Sequence, residues 1–243
     1  MIDTLLLTAV RVLTYSKQQY LTNASGFFFE REGRLFLVTS RHVMFDAPSN
    51  HLPDRIEIEL HTDLDNLVKS VNFSIPLYRD GNRLWRQGID GAGEIDVAVI
   101  ELDRAALPAT TAYSAFTPAH IYQPHDHIEV GTRLLIVGFP LGFHDTLHHM
   151  PVARRAATAS AFGLRFQGAG YFLTDARTHR GASGAPVVTR VENGSPELGH
   201  LPWMLLGVHS SRFDVGSRDL TQDEALGLNC AWYADILLTL TTD

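Results

Sequence analysis

The sequence contains a single cysteine, Cys230, among its 243 residues, so no disulfide can form within the chain. No apolar run approaches the ~20 residues that a membrane-spanning helix needs. The apolar stretch Leu5–Val10 follows the acidic Asp3 and stops at Arg11, which is unlike an export signal. From these absences we expect a cytoplasmic protein that has no contact with a membrane.

Positive charge is also scarce. The chain carries 20 lysines and arginines against 27 acidic residues, a net charge of −7, which argues against nucleic acid as a partner. Glycine-rich phosphate loops, Cys-x-x-Cys pairs and His-Glu-x-x-His motifs are missing, so we expect neither a metal nor a cofactor. The 45% of apolar residues suit a globular protein with a sizeable core.

Short apolar runs that end at turn residues dominate the sequence and predict an all-β fold, a sandwich or a barrel. The predicted strands are Phe27–Glu30, Arg34–Thr39, Arg55–Leu60, Asp96–Leu102, Arg133–Val137, Tyr171–Thr174, Ala185–Thr189 and Met204–Val208. One helix is predicted over Ala231–Leu240, because Trp232, Ile236, Leu237 and Leu240 share one face. We expect that helix to pack on the second β unit.

A proline-rich segment divides the chain. Residues 108–129 contain Pro108, Pro118 and Pro124 and lack a clear hydrophobic period, which is typical of a connection. We therefore predict an N-terminal β unit over residues 1–107 and a C-terminal β unit with its helix over residues 130–243, which together form one domain.

Three residues suggest nucleophilic catalysis. A strand runs into His42, Asp96 opens an apolar strand, and Ser183 lies in a glycine-rich turn. A serine hydroxyl reacts at neutral pH only when a base takes its proton and a third group orients the base. Each residue alone is commonly structural, a strand-end histidine or a turn residue. Their order and shared β context together predict base, orienting acid and nucleophile.

The motifs around these residues resemble those of trypsin-like (chymotrypsin-fold) serine peptidases, and in particular the compact bacterial HtrA-like branch. The matching segments are Thr39–Val43, Asp96–Val99, Val137–Gly142, Thr174–Gly184 and Gly207–Ser210. Only 33 residues follow Ser210 (243 − 210), so we expect no PDZ domain.

The resemblance implies a fold and an activity. The fold would be two antiparallel six-stranded β-barrels with a short C-terminal helix, His42 and Asp96 lying in the first and Ser183 in the second. The activity would be that of a serine endopeptidase, which hydrolyses protein or peptide substrates through an acyl-enzyme. Backbone N–H groups of Gly181 and Ser183 would form the oxyanion hole. No pro-segment is recognisable, so we expect other restraint, for example a regulatory protein partner.

The same resemblance assigns a substrate pocket to Arg177, Thr178, His209, Ser210 and Arg212. Basic-specific relatives have an aspartate where this chain has Arg177, so a lysine or arginine preference is not expected. Thr178 together with His209 resembles the glutamate-specific branch, in which a hydroxyl and a protonated imidazole bind a carboxylate. A neutral His209 would instead suit glutamine, and both preferences stay open at this point.

Three other interpretations compete with this one. An α/β-hydrolase would have Gly-x-Ser-x-Gly, but Ala185 stands at the last glycine. The histidines of residues 125–127 and 144–149 cluster in sequence, yet solvated loops explain them better than a metal site. The last alternative is a catalytically silent trypsin-like fold that serves as a protein-binding module. The intact His42, Asp96 and Ser183 argue against it.

Overall fold

A computed structural model describes residues 2–123, 126–191, 196–210 and 227–242 of the chain. The strands are β1 (Ala9–Ser16), β2 (Gln19–Arg31), β3 (Arg34–Thr39), β4 (Arg55–His61), β5 (Ser70–Pro76), β6 (Tyr78–Arg79), β7 (Asn82–Arg83), β8 (Trp85–Asp90), β9 (Gly93–Leu102), β10 (Arg133–Gly138), β11 (Val152–Ala157), β12 (Tyr171–Thr174), β13 (Pro186–Arg190), β14 (Trp203–Ser210) and β15 (Asn229–Tyr233). Within the described residues, two short α-helices accompany them, α1 (Arg41–Met44) and α2 (Ile236–Leu240). Among these described elements, no helix is long and apolar enough to cross a membrane.

The first sheet is antiparallel and has the order β5-β4-β1-β2-β3-β9-β8, one strand more than predicted. The strands β1, β5 and β8 of this sheet were not among the predicted ones, and β5 follows β4 as its antiparallel partner. The predicted hairpin of β2 and β3 is present and turns at Glu32 and Gly33.

In the part of the chain that the structure describes, the second sheet has six strands in the order β11-β10-β13-β14-β15-β12. Its two ends meet where Thr158, just after β11, bridges to Thr174 at the end of β12. This contact closes the sheet into a barrel. The protein therefore has the double β-barrel architecture of the trypsin-like fold, with the first-sheet strands inside predicted residues 1–107 and the second-sheet strands inside residues 130–243.

Apolar residues form one core inside each barrel and a third core between the barrels. Successive side chains of a strand point to opposite faces, so Leu35 and Leu37 fill the first barrel while Phe36 and Val38 pack between the barrels. A strand buried on both faces reads as an uninterrupted apolar run. The strand that leads to His42 is of this kind, which explains why that histidine is held on a rigid element.

Only the second half of the predicted C-terminal helix is helical. Residues 229–233 form β15, in which Trp232 pairs with Val208 and with Tyr171, and the helix starts only at Ile236. Its side chains also pack on the first sheet, since a Cβ on Gly88 of β8 would lie 3.1 Å from Ile236. Pairing with two neighbouring strands overrides the helical spacing of the apolar residues.

Candidate active site

His42 and Asp96 lie against each other where α1 follows β3. The pairing of β3 with β9 brings the start of α1 beside Asp96. The backbone N–H of His42 donates to Oδ1 of Asp96 over 2.9 Å, and Nδ1 of its ring lies 2.7 Å from Oδ2. Because an ionised carboxylate only accepts hydrogen bonds, the neutral ring carries its proton on Nδ1 and keeps Nε2 as a base.

Asp96 receives a third hydrogen bond, from the hydroxyl of Ser210 to Oδ2 over 2.8 Å. Burial acts to raise the pKa of the Asp96 carboxyl. The charge and the hydrogen bonds of His42, with the Ser210 hydroxyl, outweigh it and bring the pKa below its usual value. Asp96 is therefore ionised at neutral pH. Ser210, predicted as a pocket residue, also supports the acid.

Ser183 is 4% exposed and lies in a turn that only glycine can build. Gly181 and Gly184 have φ angles of +92° and +86°. A Cβ on Gly181 would lie 2.6 Å from the carbonyl oxygen of Phe139, and one on Gly184 would overlap the carbonyl oxygen of Ser25. The Gly-Ala-Ser-Gly sequence thus has a steric reason at both glycines.

Backbone hydrogen bonds fasten this turn to the first barrel. The N–H of Ser25 on β2 donates to the carbonyl of Ser183 over 2.9 Å. The carbonyl of His209 accepts from the N–H of Gly184 over 2.8 Å and from the hydroxyl of Ser40 over 3.3 Å. Ser40 precedes His42 by two residues. One carbonyl therefore contacts the segment before the candidate base and the segment after the candidate nucleophile.

The Arg180–Gly181 and Ala182–Ser183 peptide groups have fixed directions. The carbonyl of Arg180 accepts from the N–H of Leu141 over 2.6 Å, and the carbonyl of Ala182 accepts from the N–H of Ala185 over 3.0 Å. In a trans peptide the N–H points opposite to the C=O. The N–H groups of Gly181 and Ser183 therefore point away from these partners, and they are the two groups predicted for the oxyanion hole.

Thr178 and His209, two of the residues predicted for the pocket, contact each other. Nε2 of His209 lies 2.9 Å from Oγ1 of Thr178, and that hydroxyl donates to Oδ1 of Asn229 over 2.8 Å. The amide nitrogen of Asn229 donates to the Ala176 carbonyl, which fixes its orientation. The Thr178 proton is thus committed to Asn229, and His209 donates its Nε2 proton to Thr178.

His209 is fully buried. Burial, with a contribution from the charge of His42, lowers the pKa of His209 to about 3. The imidazole is therefore neutral at physiological pH, and its Nδ1 has no hydrogen-bond partner within the described residues. The charge assistance predicted for a protonated His209 has no support in this environment.

The other predicted pocket residues are placed differently. Arg177 is exposed. Arg212 lies outside the described residues. Sequence reasoning missed Asn229 and Ser25, since a lone polar residue in a strand gives no signal of its distant partner.

The histidine clusters have other partners. Nδ1 of His148 lies 2.8 Å from Asp145, and the carbonyl of His148 accepts from Nε2 of His61 over 2.7 Å. No group of three or more His, Cys, Asp or Glu side chains in the described parts of the chain is arranged to hold a metal ion. His125 lies outside those parts.

Comparison with known proteins decides the family. The sequence model of the trypsin-like peptidase domain matches residues 24–194, a stretch that includes His42, Asp96 and Ser183. The chain belongs to this family. Its fold is similar to that of a serine endoprotease from Yersinia pestis, with a TM-score of 0.55 and 16% sequence identity over 96% of this chain. The chain spans 61% of that protein's length. Among curated proteins, none matches the sequence.

Proposed function

We propose that this trypsin-like peptidase domain is an active serine endopeptidase that hydrolyses protein or peptide substrates. The observation that carries the proposal is the pair of contacts between Asp96 and His42. One Asp96 oxygen contacts the backbone N–H of His42 and the other contacts its ring. That arrangement fixes the tautomer in which Nε2 is free to take a proton. Ser183 supplies the hydroxyl, from a turn that is bonded to the first barrel.

The reaction follows from these roles. Oγ of Ser183 attacks the substrate carbonyl carbon while Nε2 of His42 takes the hydroxyl proton. The negative oxygen of the tetrahedral intermediate accepts from the N–H groups of Gly181 and Ser183. As the intermediate collapses, the C–N bond breaks and His42 gives its proton to the leaving amine. Water then attacks the acyl-enzyme by the same route, releases the acid and restores Ser183, while Asp96 remains ionised and stabilises the imidazolium.

For the residue before the scissile bond, we propose glutamine rather than glutamate. The proton of Thr178 is committed to Asn229, so its oxygen offers a lone pair. A glutamine amide can donate to that oxygen, whereas a carboxylate cannot. The buried His209 is neutral at physiological pH and adds no positive charge for a carboxylate. A polar neutral side chain therefore fits this pocket base better than an acid.

A fluorophosphonate probe tests the activity. We expect it to label the wild-type protein, and we expect Ser183→Ala to lose both labelling and hydrolysis of a peptide library while it keeps the fold. Ser70→Ala serves as a matched control, because the Ser70 hydroxyl donates to Glu59 over 2.7 Å and has no part in the site. A folded wild-type protein that neither reacts nor cleaves would instead be the silent binding module.

The cytoplasmic location and a regulatory protein partner stay predictions from the sequence. Fractionation of the native host cells and capture of bound proteins on the Ser183→Ala variant would test them.

A further inference from the structure

Ser25 joins the first barrel to the candidate nucleophile turn through its side chain as well as its backbone. It is fully buried on β2. Its hydroxyl lies 2.7 Å from the carbonyl oxygen of Gly181 and 2.9 Å from the backbone nitrogen of Phe139. A carbonyl only accepts and an N–H only donates, so the hydroxyl donates to Gly181 and accepts from Phe139.

These two partners belong to the segments that aim the oxyanion-hole groups. The carbonyl of Gly181 belongs to the peptide that follows the Gly181 N–H, and Phe139 is two residues before Leu141, whose N–H holds the Arg180 carbonyl. The hydrogen bond from Leu141 to Arg180 sets the direction of the Gly181 N–H. The Ser25 hydroxyl bonds to the chain segment on each side of that hydrogen bond. Its own backbone N–H holds the carbonyl of Ser183 at the other end of the turn.

The space around the hydroxyl is made by Gly138. A Cβ at that position would lie 2.5 Å from Oγ of Ser25 and 3.1 Å from its Cβ. Gly138 is not among the glycines with a positive φ, so space rather than backbone conformation explains this glycine of the Val137–Gly142 motif. The missing side chain of Gly138 in the second barrel thus leaves the space that the Ser25 hydroxyl of the first barrel occupies.

We propose that Ser25 is a positioning residue for the oxyanion hole. Its hydroxyl holds the Gly181 carbonyl and the Phe139 N–H so that the N–H groups of Gly181 and Ser183 point at the developing oxyanion. Ser25 does not touch the substrate and acts through the turn. The inference rests on the proposed endopeptidase activity.

The test compares Ser25→Ala with the wild type by steady-state kinetics on a peptide substrate, with active sites counted by fluorophosphonate titration. Loss of one oxyanion-hole donor lowers kcat by about 10²–10³. In Ser25→Ala the two N–H donors remain but are no longer held in the right orientation. We therefore expect kcat to fall roughly 10- to 100-fold and KM to stay unchanged. The affinity for a peptide boronic acid, which forms a tetrahedral adduct with the nucleophile, should fall in parallel. The affinity for a product peptide should not change.

A purely structural role predicts a different result, in which the fraction of active protein falls but kcat per titrated site does not. That outcome would overturn the inference. Thr8→Val is the matched control, because the Thr8 hydroxyl is equally buried and donates over 2.7 Å to the carbonyl of Leu5, three residues earlier in the chain. It should leave kcat unchanged.

If Ser25→Ala does not fold, Ser25→Cys replaces it, since a thiol has a similar size but donates weakly. Its kcat should again fall while KM holds, and a wild-type kcat would overturn the inference. Failure of the wild type to react with the probe would instead overturn the proposed function, so the two failures are distinguishable.

Discussion

Asp96 holds His42 at two points, because one carboxylate oxygen accepts from the backbone N–H and the other lies against the ring nitrogen. The backbone contact sets the position of the residue, and the ring contact sets its tautomer and orientation. The hydroxyl of Ser210 adds a third donor to the same carboxylate. These three donors need an ionised acid.

We therefore expect Asp96→Asn to lower kcat/KM for peptide hydrolysis by about 10⁴-fold. An asparagine has one carbonyl oxygen for the three donors, and its NH₂ group would face one of them. Asp145→Asn is the control, because Asp145 makes a similar 2.8 Å contact with His148 on the surface. A decrease of less than tenfold in Asp96→Asn would contradict the assigned role.

Gly184→Ala should destabilise the protein far more than Gly33→Ala. Both glycines have positive φ, which costs about 1–2 kcal/mol for a residue with a Cβ. A Cβ on Gly33 meets nothing within 4 Å, whereas one on Gly184 would overlap Ser25 and Thr39. We expect an additional loss of roughly 1–3 kcal/mol in the free energy of unfolding, measured by urea denaturation. Equal losses in both variants would show that the turn can move aside.

The buried His209 should make stability depend on pH. Its folded-state pKa of about 3 lies below the ordinary 6.5, so between these values the unfolded chain binds a proton that the folded protein does not. The stabilisation is complete above pH 6.5 and decreases as pH falls toward 3. At pH 5 the loss should reach about 2 kcal/mol.

His209→Gln removes this titration, so its unfolding free energy should fall less between pH 7 and pH 5 than that of the wild type. His127→Gln removes an imidazole that is 88% exposed and serves as the control. The same pH slope in the wild type and in His209→Gln would contradict the prediction.

The pocket proposal predicts a ranking of substrates. Peptides that differ only in the residue before the scissile bond (Gln, Glu, Asp, Leu, Ala or Arg) should be cleaved best with Gln. We expect kcat/KM for Gln to exceed that for Glu by about 10- to 100-fold at pH 7, because a carboxylate meets an acceptor at Thr178.

Asn229→Leu frees the Thr178 proton for donation and should raise the kcat/KM for Glu relative to Gln. A preference for Leu or Arg that persists in His209→Ala would rule out the proposed pocket.

The sequence could predict those site residues whose position follows from the pattern of their immediate neighbours. His42 and Asp96 adjoin apolar runs that are buried on both faces, and the turn at Ser183 needs its glycines. The hydroxyl of Ser25 and the amide of Asn229 could not be predicted, because they act on residues 156 and 51 positions away. Trp232 misled the helix prediction because its position satisfied the helical period, while its strand partners were not visible in the local sequence.

The groups of β14 and β15 that support the candidate site are synthesised after the groups that orient His42. His42 and Asp96 leave the ribosome early, but the His209 carbonyl that holds the Ser183 turn and the Asn229 amide come from the last part of the chain. A nascent chain that does not yet include β14 therefore has the candidate acid and base but lacks the carbonyl that holds the candidate nucleophile turn. On the proposed function, cleavage therefore begins only after β14 and β15 have been made.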